Sequence, residues 1–319
     1  MASTYLTRTE SAGNRKIGTI SVWVKKSSLG NQYIYSNWNT STSGYQSSLI
    51  QFTSSDRLEI VNYQTSGGAH SNITTNRLFR DVNAWYHIVI NWDTTQTTSS
   101  NRYKMYVNGV QETSFSTATY PSLNEDLYFN IGGSSNPLAI GSLHSTGGSA
   151  FFNGSMSHYH NIDGTAYNAS TFGETDATTG IWKPKTAPSV TYGTNGFFLK
   201  FENSAAMGTD SSGNSNTFSV NGTMTQLIDT PSNVFATWNS LDNINASTMS
   251  NVNTKITTVT GNYSPNTSTL RATLGKWYWE VKLAQHTSSG ANESDMIGIG
   301  NNSVQSATTN PSSIGINYR

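Results

Sequence analysis

The chain has 319 residues, enough for two domains, with 18 basic and 18 acidic side chains and no cysteine. Only 11% of residues are charged and 34% are hydrophobic, while Ser, Thr, Asn and Gly take the surface role usually held by Lys and Glu. This balance disfavours a helical protein, electrostatic capture of nucleic acid and disulfide or thiolate-metal chemistry. No apolar stretch approaches the roughly 18 residues of a membrane span, so membrane insertion is not expected, and the N-terminus has no secretory pattern.

The apolar residues recur with the period of strands. Ile20, Val22 and Val24 alternate with Ser21, Trp23 and Lys25. Segments 33–38, 48–52 and 58–63 follow at short spacing, separated by Ser, Thr and Gly. The stretch 85–112 is the strongest unit. Tyr86, Ile88, Ile90 and Trp92 fall on one face of its first half, and Tyr103, Met105 and Val107 on one face of its second. The polar run 94–101 connects the halves, and Asn108-Gly109 supplies a tight type I′ turn. Segments 127–131, 138–140 and 155–162 complete the predicted strands, with one short turn over 167–172. Regular short strands with turn signals predict an all-β antiparallel sandwich or jelly roll over 1–185.

Residues 186–235 read as a β-rich connector packed on that domain, because Phe197, Phe198 and Phe201 are too aromatic for a floppy linker. A second β unit is expected over 236–319. There Trp277, Trp279, Val281 and Leu283 alternate with Tyr278, Glu280 and Lys282, and are expected to pack. Some eighty residues give little core for a sandwich. A strand at the end leaves an edge open, so this unit is expected to be partial and completed by further chain or another one.

The stretches Ile20-Ser-Val-Trp-Val-Lys25, Trp85-Tyr-His-Ile-Val-Ile, Tyr103-Lys-Met-Tyr-Val-Asn-Gly-Val110 and Phe152-Asn-Gly154 through Ile162-Asp-Gly164 resemble the laminin-G/concanavalin-A-like superfamily. Lys276-Trp-Tyr-Trp-Glu-Val with Ile297-Gly-Ile-Gly300 resembles the opening of a SPRY domain. The tandem order, with Tyr192 to Leu199 and Asp210 to Asn214 between, is similar to structural proteins of marine bacteriophages, especially cyanophages. That resemblance implies a virion fibre or surface appendage, partnered by other virion proteins, homo-oligomeric, without enzymatic activity, and in contact with host polysaccharide. A free-standing lectin-like module and a polysaccharide depolymerase are the alternatives.

Among aromatics, Tyr35, Trp38, Tyr45 and Tyr63 lie near early loops among amides, a combination suited to stacking on sugar rings and bonding hydroxyls. The competing reading makes Tyr35 and Trp38 core residues. His158 and His160 alternate on one strand with Asp163 nearby, a candidate metal grip. Laminin-G-like domains often carry calcium, which makes Asp81, Asp93, Asp163 and Asp210 oxygen-ligand candidates, although each is equally a turn former. No cofactor is required. Hydrolysis of a sugar bond needs two carboxylates about 5–9 Å apart. Glu125 and Asp126 are adjacent and point apart, while Glu293 and Asp295 sit in a Ser/Gly-rich stretch.

Overall fold

The computed structural model describes residues 3–38, 46–64, 69–133, 137–143, 150–243, 245–258, 264–270, 276–285, 297–300 and 315–318. The chain divides into two units, Met1–Phe235 and Ala236–Arg319. The predicted all-β class holds, with antiparallel pairing throughout the described ladders.

Unit 1 contains β1 (Tyr5–Arg8), β2 (Ile17–Lys26), β3 (Gln32–Trp38), β4 (Ser47–Phe52), β5 (Arg57–Tyr63) and β6 (Ala69–Leu78). Then come β7 (Trp85–Asp93), β8 (Tyr103–Val107), β9 (Val110–Gln111), β10 (Phe115–Thr119), β11 (Leu138–Ile140) and β12 (Gly154–Asp163). The last four are β13 (Gly173–Thr175), β14 (Trp182–Pro184), β15 (Phe197–Leu199) and β16 (Ser219–Asn221). One sheet runs β10-β6-β5-β4-β3-β11-β1-β16 and the other β15-β12-β2-β7-β8-β9. β13 and β14 pair separately.

The inner faces of the two sheets form the core. Ile20, Val22 and Val24 of β2 join Ile88, Ile90 and Trp92 of β7 and Tyr103, Met105 and Val107 of β8, as the alternation predicts. From the other sheet come Tyr35, Ile50, Phe52, Leu58, Ile60 and Ile73. The Trp92 ring stacks on Phe129 at 4.0 Å. Asn108 (φ 49°) and Gly109 (φ 84°) make the predicted turn between β8 and β9. Only Gly suits the second position for a further reason: a Cβ on Gly109 would lie 2.8 Å from the Trp182 ring.

Three expectations change. Residues 127–131 form no strand, yet Leu127 and Phe129 are fully buried, so that segment plugs the sandwich without joining a ladder. β6 was not visible in the sequence, because Ser71 and Thr75 take inward positions where only Ile73 is apolar. Ser71 is satisfied there by the Tyr103 hydroxyl at 2.9 Å. In unit 2, residues 276–285 carry no strand, and Trp277 and Trp279 are 59% and 48% exposed rather than packed. A strand needs a ladder partner to hold it, and among the described residues this stretch has none. The described strands of unit 2 form two-stranded pairs: β17 (Trp238–Asn243) with β20 (Asn266–Ser268), β18 (Thr248–Ser250) with β19 (Lys255–Thr257), and β21 (Ile297–Gly300) with β22 (Gly315–Tyr318).

Residues 186–235 extend both sheets. β15 pairs with β12, and β16 pairs with β1. Phe197, Leu199 and Phe218 enter the core. Buried side chains of this size contribute roughly 1.5–3 kcal/mol each, a large share of a typical net stability of about 5–15 kcal/mol. A protein cut after residue 185 is therefore expected to lose cooperative unfolding in urea followed by circular dichroism, whereas residues 1–235 retain it. A sharp transition of full amplitude in the shorter protein contradicts this.

Candidate functional site

Pairing register builds a polar face on the outside of the eight-stranded sheet. β3, β4, β5 and β6 contribute the cross-strand row Tyr33, Gln51, Glu59 and Thr74. Two residues along β4, β5 and β6, and three along β3 where a bulge intervenes, Ser36, Leu49, Val61 and Asn72 form the next row. The following row is Trp38, Ser47 and Tyr63. Side chains two apart on a strand share a face, so the three rows lie on one surface.

Glu59 is the charged centre of the first two rows. Its Oε1 accepts from Asn72 Nδ2 at 2.8 Å and Thr74 Oγ1 at 3.0 Å, and its Oε2 accepts from Gln51 Nε2. These bonds hold the carboxylate in place while the residue stays partly exposed. Arg57, also outward, is drawn toward β6, donating to the Thr75 carbonyl at 2.7 Å. Tyr33 stands beside Gln51, and burial pushes its phenol above the ordinary tyrosine value, keeping it neutral. The middle row is capped: Leu49 and Val61 pack with Tyr33 under Trp38, Tyr63, Leu143 and Ala150. Ser36 Oγ donates to the Leu143 carbonyl and ties that cap to β3.

Of the predicted glycan contacts, Trp38 and Tyr63 flank Ser47 on this face, half-buried. Tyr35 does not join them. A bulge between Tyr33 and Tyr35 turns Tyr35 inward, where it is fully buried and its ring lies 5.3 Å from Phe129. Tyr45 lies outside the described residues. The sequence reading missed Tyr33, Gln51, Glu59, Asn72 and Thr74. The available signal was the shared parity of Glu59 and Tyr63 on β5.

The proposed metal grip does not assemble. β12 bulges between Ser157 and His160, with His158 at φ 47°, so the two histidines do not follow simple alternation. His160 is 2% exposed, bonded through Nδ1 to the Tyr192 hydroxyl at 2.9 Å and stacked on Phe198 at 3.9 Å. His158 Nδ1 meets Ser157 Oγ at 2.7 Å. Asp163 pairs with Gly18 while His160 pairs with Ser21. Three residues apart, the two fall on opposite faces. Asp163 instead accepts from the backbone amides of Asn14 at 2.7 Å and Asn195 at 3.0 Å. Asp81, Asp93 and Asp210 each bond to amides within their own turns. Among the described residues no group of three or more His, Asp or Glu side chains is placed to hold a metal ion. Glu293 and Asp295 lie outside the described residues.

The outer face of the six-stranded sheet is not free. His87 stacks on Trp23 at 4.7 Å, accepts from Trp182 Nε1 through Nδ1 at 2.9 Å, and meets Ser21 Oγ through Nε2 at 2.9 Å. Indole nitrogen only donates, so His87 is neutral with its proton on Nε2. Phe172, Tyr167, Trp182, Val190 and Tyr192 form the layer over Val89 and Ile162.

A family model described as the Concanavalin A-like lectin/glucanases superfamily matches residues 2–170. Solved structures similar to the chain include a SAP-like pentraxin from Limulus polyphemus, at 16% identity, covering 52% of this chain and 72% of that one, with a TM-score of 0.36. The carbohydrate-binding module CBM40 of a Ruminococcus gnavus IT-sialidase, solved with α2,6 sialyllactose, matches at 16% identity over 47% of this chain and 89% of its own, with a TM-score of 0.34. Domains LG4-5 of mouse laminin α1 match at 15% identity over 51% and 40% of the two chains, with a TM-score of 0.35. No curated protein matches the sequence.

Buried ionisable groups give unit 1 a defined pH window. Burial pushes the Glu10 carboxyl from 4.5 up to about 8, with Asp163 adding to the rise and Arg8 opposing it. Burial pulls His87 from 6.5 down to about 3, and His160 and His158 shift the same way. Folded Glu10 keeps a proton that the unfolded chain releases above pH 4.5, so its share of stability is lost as pH rises toward 8. The unfolded histidines take protons below pH 6.5 that the folded ones refuse, so stability is also lost as pH falls. Three histidines outweigh one carboxyl between those values, which places the maximum near pH 6.5. Each proton is worth about 1.4 kcal/mol per pH unit. Thermal melts across pH 4–9 are expected to decline on both sides, and Glu10→Gln is expected to flatten the alkaline side alone. An unchanged alkaline decline in that variant refutes the assignment.

Proposed function

The chain belongs to the concanavalin A-like lectin/glucanases superfamily by residues 2–170, and from that premise we propose that unit 1 is a non-catalytic glycan-binding module. Saccharide lies on the outer face of the eight-stranded sheet, against Glu59 and its amide and hydroxyl neighbours, with Trp38 and Tyr63 at the far row. The observation that carries this reading is the Glu59 carboxylate, held in place by Gln51, Asn72 and Thr74 yet still partly exposed. A fixed carboxylate accepts sugar hydroxyls without reorganising first, and charge-assisted bonds of this kind are the stronger ones. The three rows hold a single carboxylate, whereas glycoside hydrolysis through an acid and a base or nucleophile takes two. This supports binding over depolymerisation.

The order of motifs along the chain, similar to marine bacteriophage structural proteins, supports a setting for the module: a virion fibre or surface appendage that touches host polysaccharide. A homo-oligomeric appendage would raise the avidity of a shallow site by presenting several copies. Detection of the chain in purified particles by peptide mass spectrometry and immuno-electron microscopy is the expected result, and its absence from them removes the virion setting while leaving the lectin reading intact.

A glycan array followed by calorimetry tests the module itself. Glu59→Gln keeps the side-chain shape but removes charge-assisted bonds worth about 1.5–3 kcal/mol, so affinity is expected to fall roughly ten- to hundredfold. Glu202→Gln, on an exposed position after β15, leaves affinity unchanged. Wild-type protein that binds no glycan, or a Glu59→Gln variant that binds equally well, sinks the assignment. Falling polymer viscosity during incubation would point to the enzyme.

A further inference from the structure

Two consecutive lysines, Lys25 and Lys26, are buried to 1% and 0% exposure, and their surroundings differ. Lys26 Nζ bonds Asp56 at 2.8 Å and the Phe79 carbonyl at 3.1 Å, and Asp56 is further held by Gly30 N and Arg80, an arrangement of charges and donors that closes on itself. Lys25 has both a carboxylate and a neutral carboxamide within reach. Its Nζ lies 2.8 Å from Asp229 Oδ2 and 3.4 Å from Asn83 Oδ1. Asp229 is 6% exposed, and its other oxygen is fixed by Trp85 Nε1 at 3.2 Å and the Phe235 amide at 3.1 Å. Trp85, the cross-strand partner of Lys25, is itself only 8% exposed.

We propose that Lys25 and Asn83 are joined by an intramolecular isopeptide bond whose formation Asp229 promotes. An amine is a nucleophile once it is free of its proton, and Asp229 Oδ2 is placed to receive that proton. Nζ then attacks Cγ of Asn83, Asp229 passes the first proton to Nδ2 and takes up a second one from Nζ, the Cγ–Nδ2 bond breaks and ammonia leaves. One C–N bond forms and one breaks, and no oxidant or cofactor enters. Holding carbonyl and proton carrier within 3.4 Å of the nucleophile supplies the high effective concentration that an amine and an amide lack in solution. Lys26 does not share this arrangement, because its bonds go to a carboxylate and a backbone carbonyl and not to a side-chain carboxamide.

The bond would tie the end of β2 to the turn before β7. That corner is also where Asp229 pins the segment through which the chain leaves unit 1 at Phe235. A covalent tie there resists separation of the ladder end under tension, a useful property in an extended appendage.

Intact mass of the purified chain in denaturant tests the proposal. Molecules one ammonia lighter than the sequence are expected, increasing on prolonged incubation of the folded protein, together with a proteolytic peptide that joins the segments holding Lys25 and Asn83. Succinimide formation at Asn108-Gly109 loses the same mass, but it leaves no branched peptide and is cleaved by hydroxylamine. Lys25→Arg and Asp229→Asn, shown to be folded by circular dichroism, are expected to keep the full mass. Full mass in every wild-type molecule after long incubation overturns the proposal. So does ammonia loss without the linked peptide, or loss that persists in Lys25→Arg.

Discussion

The antiparallel ladder between β2 and β7 is the constraint on which the rest of unit 1 depends. It pairs Ile17 with Asp93 at one end and Lys25 with Trp85 at the other without a break. Because side chains alternate, a slip of one residue would exchange the two faces entirely. In the observed register, Ile20, Val22 and Val24 oppose Ile90, Ile88 and Tyr86 on the core side. The same register puts Ser21 beside Val89, Trp23 beside His87 and Lys25 beside Trp85 on the other side. The neutral His87 and the buried Lys25 are thus consequences of the pairing that also builds the core.

Those outward residues would be costly if left to themselves. Buried polar groups must be bonded, and the return of the chain over this face provides the partners. Trp182 reaches His87, Tyr192 reaches His160, and Asp229 reaches Lys25. The six-stranded sheet is consequently covered on both sides. The eight-stranded sheet keeps a face whose polar end is bonded within itself and only partly covered, which is why the candidate ligand surface lies there.

Period-2 alternation made β2, β3, β4, β5, β7, β8 and β12 visible in the sequence, because each carries apolar residues on at least one face. It failed where a ladder, rather than a side-chain pattern, defines the strand. β6 alternates Ser71, Ile73 and Thr75 inward, and a hydroxyl against Tyr103 serves where a methyl group was expected. Residues 127–131 show the reverse: Leu127 and Phe129 have strand-like spacing but serve as plugs, since the core accepts an apolar side chain from any backbone that presents it. The bulge that gives His158 a positive φ breaks the parity on which the metal reading rested.

The candidate site was harder to see than the fold for the same physical reason. Glu59, Gln51, Asn72, Thr74 and Tyr33 come from four strands, and none is unusual in its own segment. Their convergence is fixed by register between strands, which alternation within a strand does not encode. The bulge between Tyr33 and Tyr35 decides the matter for β3: with it, Tyr33 faces outward beside Gln51 and Tyr35 fills the core. Without it, the two would share a face, as simple alternation implies. An irregularity of one residue therefore determines which tyrosine is available to a ligand and which one holds the sheets together.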